Sequence, residues 1–179
     1  MSLINGLPAH VLLVHVVVVL VPLTALALVI CSLWPQGARR LGLVLPILAL
    51  VTLVSVPLAT QAGEWLERHV DSDPLVRRHA ELGDGMLPWA VGLFVLAAGV
   101  WWLARRTPAP ETAGPRSGSA PEAAGPRSGP GPVIRVAAVV LSVAVAAGAV
   151  VTVYRIGDSG AKAAWHDAYS KTATKGGDD

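Results

Sequence analysis

The chain has 179 residues, of which 53% are hydrophobic and only 15% charged, and its mean hydropathy is +0.57. Soluble domains carry about 25% charged residues, so composition excludes an ordinary water-soluble globule. The net charge of +2 is spread over the polar segments, which gives no basic stripe for nucleic acid.

Four apolar stretches follow one another: Pro8 to Trp34, Leu41 to Thr60, Met86 to Ala104 and Val133 to Tyr154. Residues 11–33, 41–60, 86–104 and 136–153 contain no Asp, Glu, Lys or Arg. About 20 apolar residues in a helix cross a hydrocarbon core about 30 Å thick. Lipid offers the backbone no hydrogen-bond partner, so each stretch is expected to be a helix despite its many valines. The expected fold class is all-α, a polytopic bundle of four transmembrane helices with a disordered Pro/Gly-rich linker between helices 3 and 4. Residues 1–104 hold the first three helices, at about 8–34, 41–62 and 86–104, with a polar loop at 63–85. Residues 105–132 form the linker, 133–155 the fourth helix and 156–179 a polar tail, all belonging to one bundle domain.

In the first helix, Ala25-Leu26-Ala27 resembles a signal-peptide cleavage site, but no Lys or Arg precedes Arg39 and the apolar run continues past it. A retained helix is expected. The single cysteine, Cys31, reads as a small buried apolar residue. Pro22, Pro46 and Pro57 are candidates for helix kinks. In the polar loop, Asp73-Pro74 reads as an N-cap followed by a helix start, with a short interfacial helix through Arg77, Arg78, His79 and Glu81. Small residues that let membrane helices approach recur as Ser55, Ala59 and Gly63, as Gly85, Gly92 and Gly99, and as Ala144, Gly148 and Thr152. The linker contains a tandem repeat, APETAGPRSGS at 109–119 and APEAAGPRSGP at 120–130, whose composition cannot bury a core. In the tail, Ser159-Gly160 is expected to precede a second short helix in which Ala161, Ala164, Trp165 and Ala168 share a face. Trp34, Trp65, Trp89, Trp101, Trp102 and Trp165 all fall near predicted helix ends, where amphipathic rings sit at headgroup level.

Four crossings return the chain to its starting side. His10, His15, His69, His79 and His166 therefore all lie toward one face of the bilayer. Of the twelve acids, only Glu111 and Glu122 lie toward the other face, whose helix ends carry Arg39, Arg40, Arg105, Arg106 and Arg135. That juxtamembrane arginine cluster points to the cytoplasm, so a multi-pass protein of the cytoplasmic membrane with both termini outside is expected. His10 and His15 lie about 140° apart around a helix of 3.6 residues per turn, so they form no i, i+4 metal pair. A shared metal requires partners from other segments, His79, His69 or His166 with Glu81 and Asp84 nearby. Two imidazoles from different helices can instead clasp a haem from both faces. His10 and His79, with His15 in reserve, are the candidate cofactor-binding residues; the identity of any metal stays open and no catalytic residue is assigned.

Gly6-Leu7-Pro8-Ala9-His10 followed by Leu13-Val14 resembles the G-x-P-x-H-P opening of an uncharacterised bacterial family of four-helix membrane proteins, the domain of unknown function 2231 family. His79 ahead of the third helix, and Gly148 with Val153-Tyr154-Arg155-Ile156-Gly157, resemble its later landmarks. The resemblance runs from Leu3 to about Trp165 apart from the linker. Some members are joined to Rieske iron–sulfur domains, which implies a redox setting. This chain has Val11 where the family often has proline, and one cysteine cannot hold an iron–sulfur cluster.

Three readings follow. The first is a redox-associated module holding haem b or a transition metal through the clustered histidines. The second is a non-catalytic subunit that assembles, through its small-residue faces, with a membrane protein partner or with further copies of itself. The third, a carrier or channel, has against it the lack of any charged residue in the middle of a span. Nucleotide and hydrolytic functions find no motif: Gly157-Asp158-Ser159-Gly160 lacks the spacing and strand context of a nucleophile elbow.

Overall fold

The structure is a computed structural model, and it describes residues 3–4, 7–68, 74–106 and 131–165. A two-residue antiparallel pairing of β1 (Leu3–Ile4) with β2 (Leu7–Pro8) leads into α1 (Ala9–Leu33). Then come α2 (Pro35–Leu41), α3 (Val44–Glu67), α4 (Pro74–Asp84), α5 (Leu87–Arg106) and α6 (Pro132–Trp165). Four of the helical segments are long and apolar enough to span a membrane, as the charge-free stretches require. The tandem-repeat linker lies outside the described residues.

The helices form a ring in which α1 packs on α3 and α6 while α5 packs on those same two. α1 also touches α5, whereas α3 and α6 face each other across the other diagonal and barely meet. At one rim α4 bridges that gap, touching both α3 and α6.

Small residues share the core with a few large ones, Val21, Leu28, Leu45, Met86 and Leu93. Ala25 and Cys31 from α1, Ala49 and Ala59 from α3, Ala90 and Ala97 from α5, and Ala146 and Ala149 from α6 are all buried. Many other large side chains point outward, among them Val19, Leu26, Val54, Val95 and Val140. Burying apolar surface gives helices no advantage over lipid, so close backbone approach and interhelical hydrogen bonds hold such a bundle together. One such bond lies at its centre. Thr52 donates its hydroxyl to the Leu48 carbonyl at 2.9 Å and is left to accept from Thr24 of α1 at 2.7 Å, both side chains being fully buried.

One expectation about helix ends needs correction, and one helix is new. Between the first two spans lies α2, with Pro35 in the first turn, where a missing N–H costs nothing. Gly42 then takes φ +52, a left-handed conformation open to glycine, and separates α2 from α3. At the other end α6 does not stop near 155 and restart after Gly160. It runs unbroken to Trp165, because an interior glycine costs a helix only about 1 kcal/mol. A Lys162–Asp158 ion pair at 2.7 Å and a Ser159 hydroxyl bonded to the Ile156 carbonyl at 2.8 Å support that stretch. Its 34 residues make a rod of about 51 Å, which outreaches the hydrocarbon core. Pro46 falls in the first turn of α3, whereas Pro22 and Pro57 lie inside their helices.

The glycine stripe of α5 is not one uniform contact. A Cβ at Gly92 would lie 3.1 Å from Val145 of α6, whereas one at Gly99 would meet nothing within 4 Å. Ala144 of α6 is exposed, and the tightest approach is Gly148, where any Cβ would overlap the Trp89 ring. Gly148→Ala is therefore expected to destabilise the bundle by about 1–3 kcal/mol, while Gly99→Ala stabilises it by up to about 1 kcal/mol. Thermal unfolding in one detergent measures both. The buried hydroxyls give a second pair of opposite sign. Thr52→Val should cost about 1 kcal/mol. Ser142, whose buried oxygen has no hydrogen-bond partner, should tolerate alanine without loss or with a gain of up to about 1 kcal/mol in the same assay.

Candidate functional site

His10 stands in the first turn of α1 and His79 in the middle of α4, and the fold brings them together. Their ring centroids are 6.3 Å apart and the ring planes nearly perpendicular, at 83°. Both side chains are half-buried.

Each ring is seated on a different helix in the same way. His10 places Nδ1 3.0 Å from the carbonyl of Ala59 in α3. A Cβ at Gly63, one turn further along, would come within 3.0 Å of the ring. His79 places Nδ1 3.1 Å from the carbonyl of Ile156 in α6 and 3.0 Å from the Ser159 hydroxyl. One turn beyond Ile156 stands Gly160, where a Cβ would again lie 3.0 Å from the ring. The two helical hairpins therefore repeat one device. In each, a histidine ahead of or at the start of one membrane span rests on a carbonyl and an i+4 glycine near the end of the following span.

The hydrogen bonds fix the tautomers. A main-chain carbonyl only accepts, so Nδ1 carries the proton in both rings and donates. Ser159 donates its own proton to Ile156, so it too can only accept from His79. In the neutral rings Nε2 is left with its lone pair, the form in which imidazole binds a metal.

The remaining candidates fall elsewhere. His15 is exposed, and its Nδ1 bonds back to the Val11 carbonyl of its own helix at 2.6 Å, so it does not join the pair. His69 and His166 lie outside the described residues. Glu81 is exposed and faces Arg77 at 3.8 Å; Asp84 is exposed as well. Among the described residues no group of three or more His, Cys, Asp or Glu could hold a metal ion. Sequence reasoning missed the seats themselves. Gly63 was read as general helix packing and Gly160 as a helix break.

Residues 6–173 match the protein family described as "Predicted membrane protein (DUF2231)". The chain belongs to this family. It is the family whose opening Gly6-Leu7-Pro8-Ala9-His10 resembles, and that opening ends on the histidine seated at Gly63. No curated protein and no solved structure matches the chain.

If the glycine seats position the rings, filling them must disturb the rim. Gly63→Val and Gly160→Val are each expected to cost about 1–3 kcal/mol. Gly157→Ala, where a Cβ meets nothing within 4 Å, is expected to cost nothing. Thermal melts of the three variants check this.

Proposed function

We propose that this membrane protein is a redox-associated module in which His10 and His79 hold a metal centre, haem iron in first place, at one face of the bilayer. The observation that carries the reading is a pair of half-buried imidazoles from different helices, each with Nδ1–H tied to a carbonyl and Nε2 left as a donor. Hydrogen bonding of the remote ring nitrogen orients a ligating histidine and raises its basicity.

The donor set favours haem over a bare ion. A protein-bound Zn²⁺ takes three or four protein ligands, whereas a haem iron already has four ring nitrogens and needs only axial ligands. The two ring centroids lie 6.3 Å apart, so His10 and His79 are the residues that would hold such a group. The pair also spans the open diagonal between α3 and α6, where the bundle is least closed. Bound there, haem would supply one-electron transfer; the Ala59 and Ile156 carbonyls would orient His10 and His79, and no residue is assigned to bond-making chemistry. In this reading the arginine-bearing helix ends face the cytoplasm and both termini lie outside, which places the pair at the outer rim of the cytoplasmic membrane.

A second reading, a non-catalytic assembly subunit, draws on α6. Of the four spans it buries the smallest share of its apolar stretch, and Val136, Val140, Val143 and Val151 are exposed along it.

The two separate by spectroscopy. Full-length protein purified after expression with a haem precursor is expected to show a Soret band that sharpens and shifts on reduction. His10→Ala and His79→Ala should each remove it, with helicity checked by circular dichroism, while His15→Ala keeps it. A folded protein with neither a Soret band nor stoichiometric transition metal overturns the haem and metal reading and leaves the assembly role.

A further inference from the structure

The opposite rim carries a different kind of site. A recess of about 250 Å³ lies between α2, the turn after it and the last turns of α5, with Arg39, Gly42, Leu43, Trp101, Ala104 and Arg105 on its wall. The left-handed turn at Gly42 swings the chain from α2 into α3 and forms one side of it. The Arg105 guanidinium lies over the Trp101 ring at 5.1 Å, and the next pair repeats the contact, Arg106 over Trp102 at 3.5 Å.

Among the described residues, the ionised side chains at this rim are arginines. Arg39, Arg40, Arg105 and Arg106 gather here, while the described carboxylates, Glu64, Glu81, Asp84 and Asp158, belong to the histidine end of the helices. A guanidinium presents a planar fork of donors that matches phosphate oxygens, and it keeps its charge at any physiological pH. Tryptophan marks headgroup depth. The apolar side of the recess continues along the helix surface, because Leu43 and Ile47, one turn apart, are both exposed. A cationic recess at headgroup level that opens onto an apolar track has the shape of an amphiphile's binding site. Basic pockets between membrane helices take up anionic headgroups in this manner.

We propose that the Arg39–Arg105 recess binds the phosphate of an anionic phospholipid, with an acyl chain lying along Leu43 and Ile47. The inference is independent of the histidine pair.

The full-length protein in a mild neutral detergent tests it, by titration with phosphatidylglycerol, phosphatidylcholine or inorganic phosphate while thermal stability is followed. Phosphatidylglycerol is expected to raise the melting temperature saturably, and neither of the others to do so. The double variant R39Q/R105Q should weaken the apparent affinity for phosphatidylglycerol about tenfold or more. Leu43→Trp, which fills the recess and leaves the charges in place, should weaken it as well. Arg77→Gln, at the other rim, should leave it unchanged. Equal responses to the two lipids overturn the proposal, as does R77Q weakening binding as much as R39Q/R105Q. A response to inorganic phosphate that matches phosphatidylglycerol overturns the lipid assignment.

Discussion

Hydrocarbon offers a peptide group nothing to bond to, and that demand shapes the whole chain. Each crossing must close its own backbone hydrogen bonds, which forces helices even from valine-rich sequence. Hydrophobic burial then gives the helices no reason to associate, so contact depends on surfaces that let backbones come close. The bundle meets this by placing alanine, serine and threonine among the buried residues, beside a few large side chains such as Leu28, Leu45, Met86 and Leu93, while many valines, leucines and isoleucines face outward. The Thr24–Thr52 bond at its centre and the Trp89 ring laid against Gly148 are the specific contacts that this pattern permits.

The same logic extends to the rim, with the main chain itself as the partner. Ala59 and Ile156 offer carbonyls to imidazoles from other helices, and Gly63 and Gly160 make the space for the rings. The outcome is a continuous strut from α3 through His10 and His79 to α6, across the diagonal where those two helices do not pack. Such a strut stiffens the rim, and in the neutral rings it leaves the Nε2 lone pair of each imidazole outside these carbonyl bonds. The far rim follows different chemistry, with cations stacked on tryptophans in place of imidazoles seated on carbonyls. The two ends of the bundle are thus chemically distinct.

What the sequence revealed depended on whether a feature leaves a mark in side-chain identity. The spans were legible because charge is absent over long runs, and the meeting of His10 with His79 was foreshadowed by the parity of the crossings. Their separation and mutual orientation were not, since those arise from helix packing. The carbonyl seats were invisible because every residue carries a carbonyl, and an i+4 glycine is ordinary in a membrane helix. His15 was kept in reserve on proximity alone, whereas its offset of about 140° from His10 takes it away from the pair and leaves it exposed. The helix α2 leaves little mark although Pro35 is a standard opening residue, and α6 reads as two helices because Ser159-Gly160 resembles the start of a new one. Tertiary contact from α4 outweighs the cost of Gly157 and Gly160.

All of this depends on the chain's return to its starting side after α3 and again after α6. Single cysteines introduced in a Cys31→Ser background and probed in intact vesicles with a membrane-impermeant maleimide report this directly. Glu81→Cys and Asp158→Cys are expected to react from one side of the membrane, and Arg40→Cys and Arg106→Cys from the other. Labelling of Glu81→Cys and Asp158→Cys from opposite sides would contradict it, because His79 and its seat on α6 could not then share a rim.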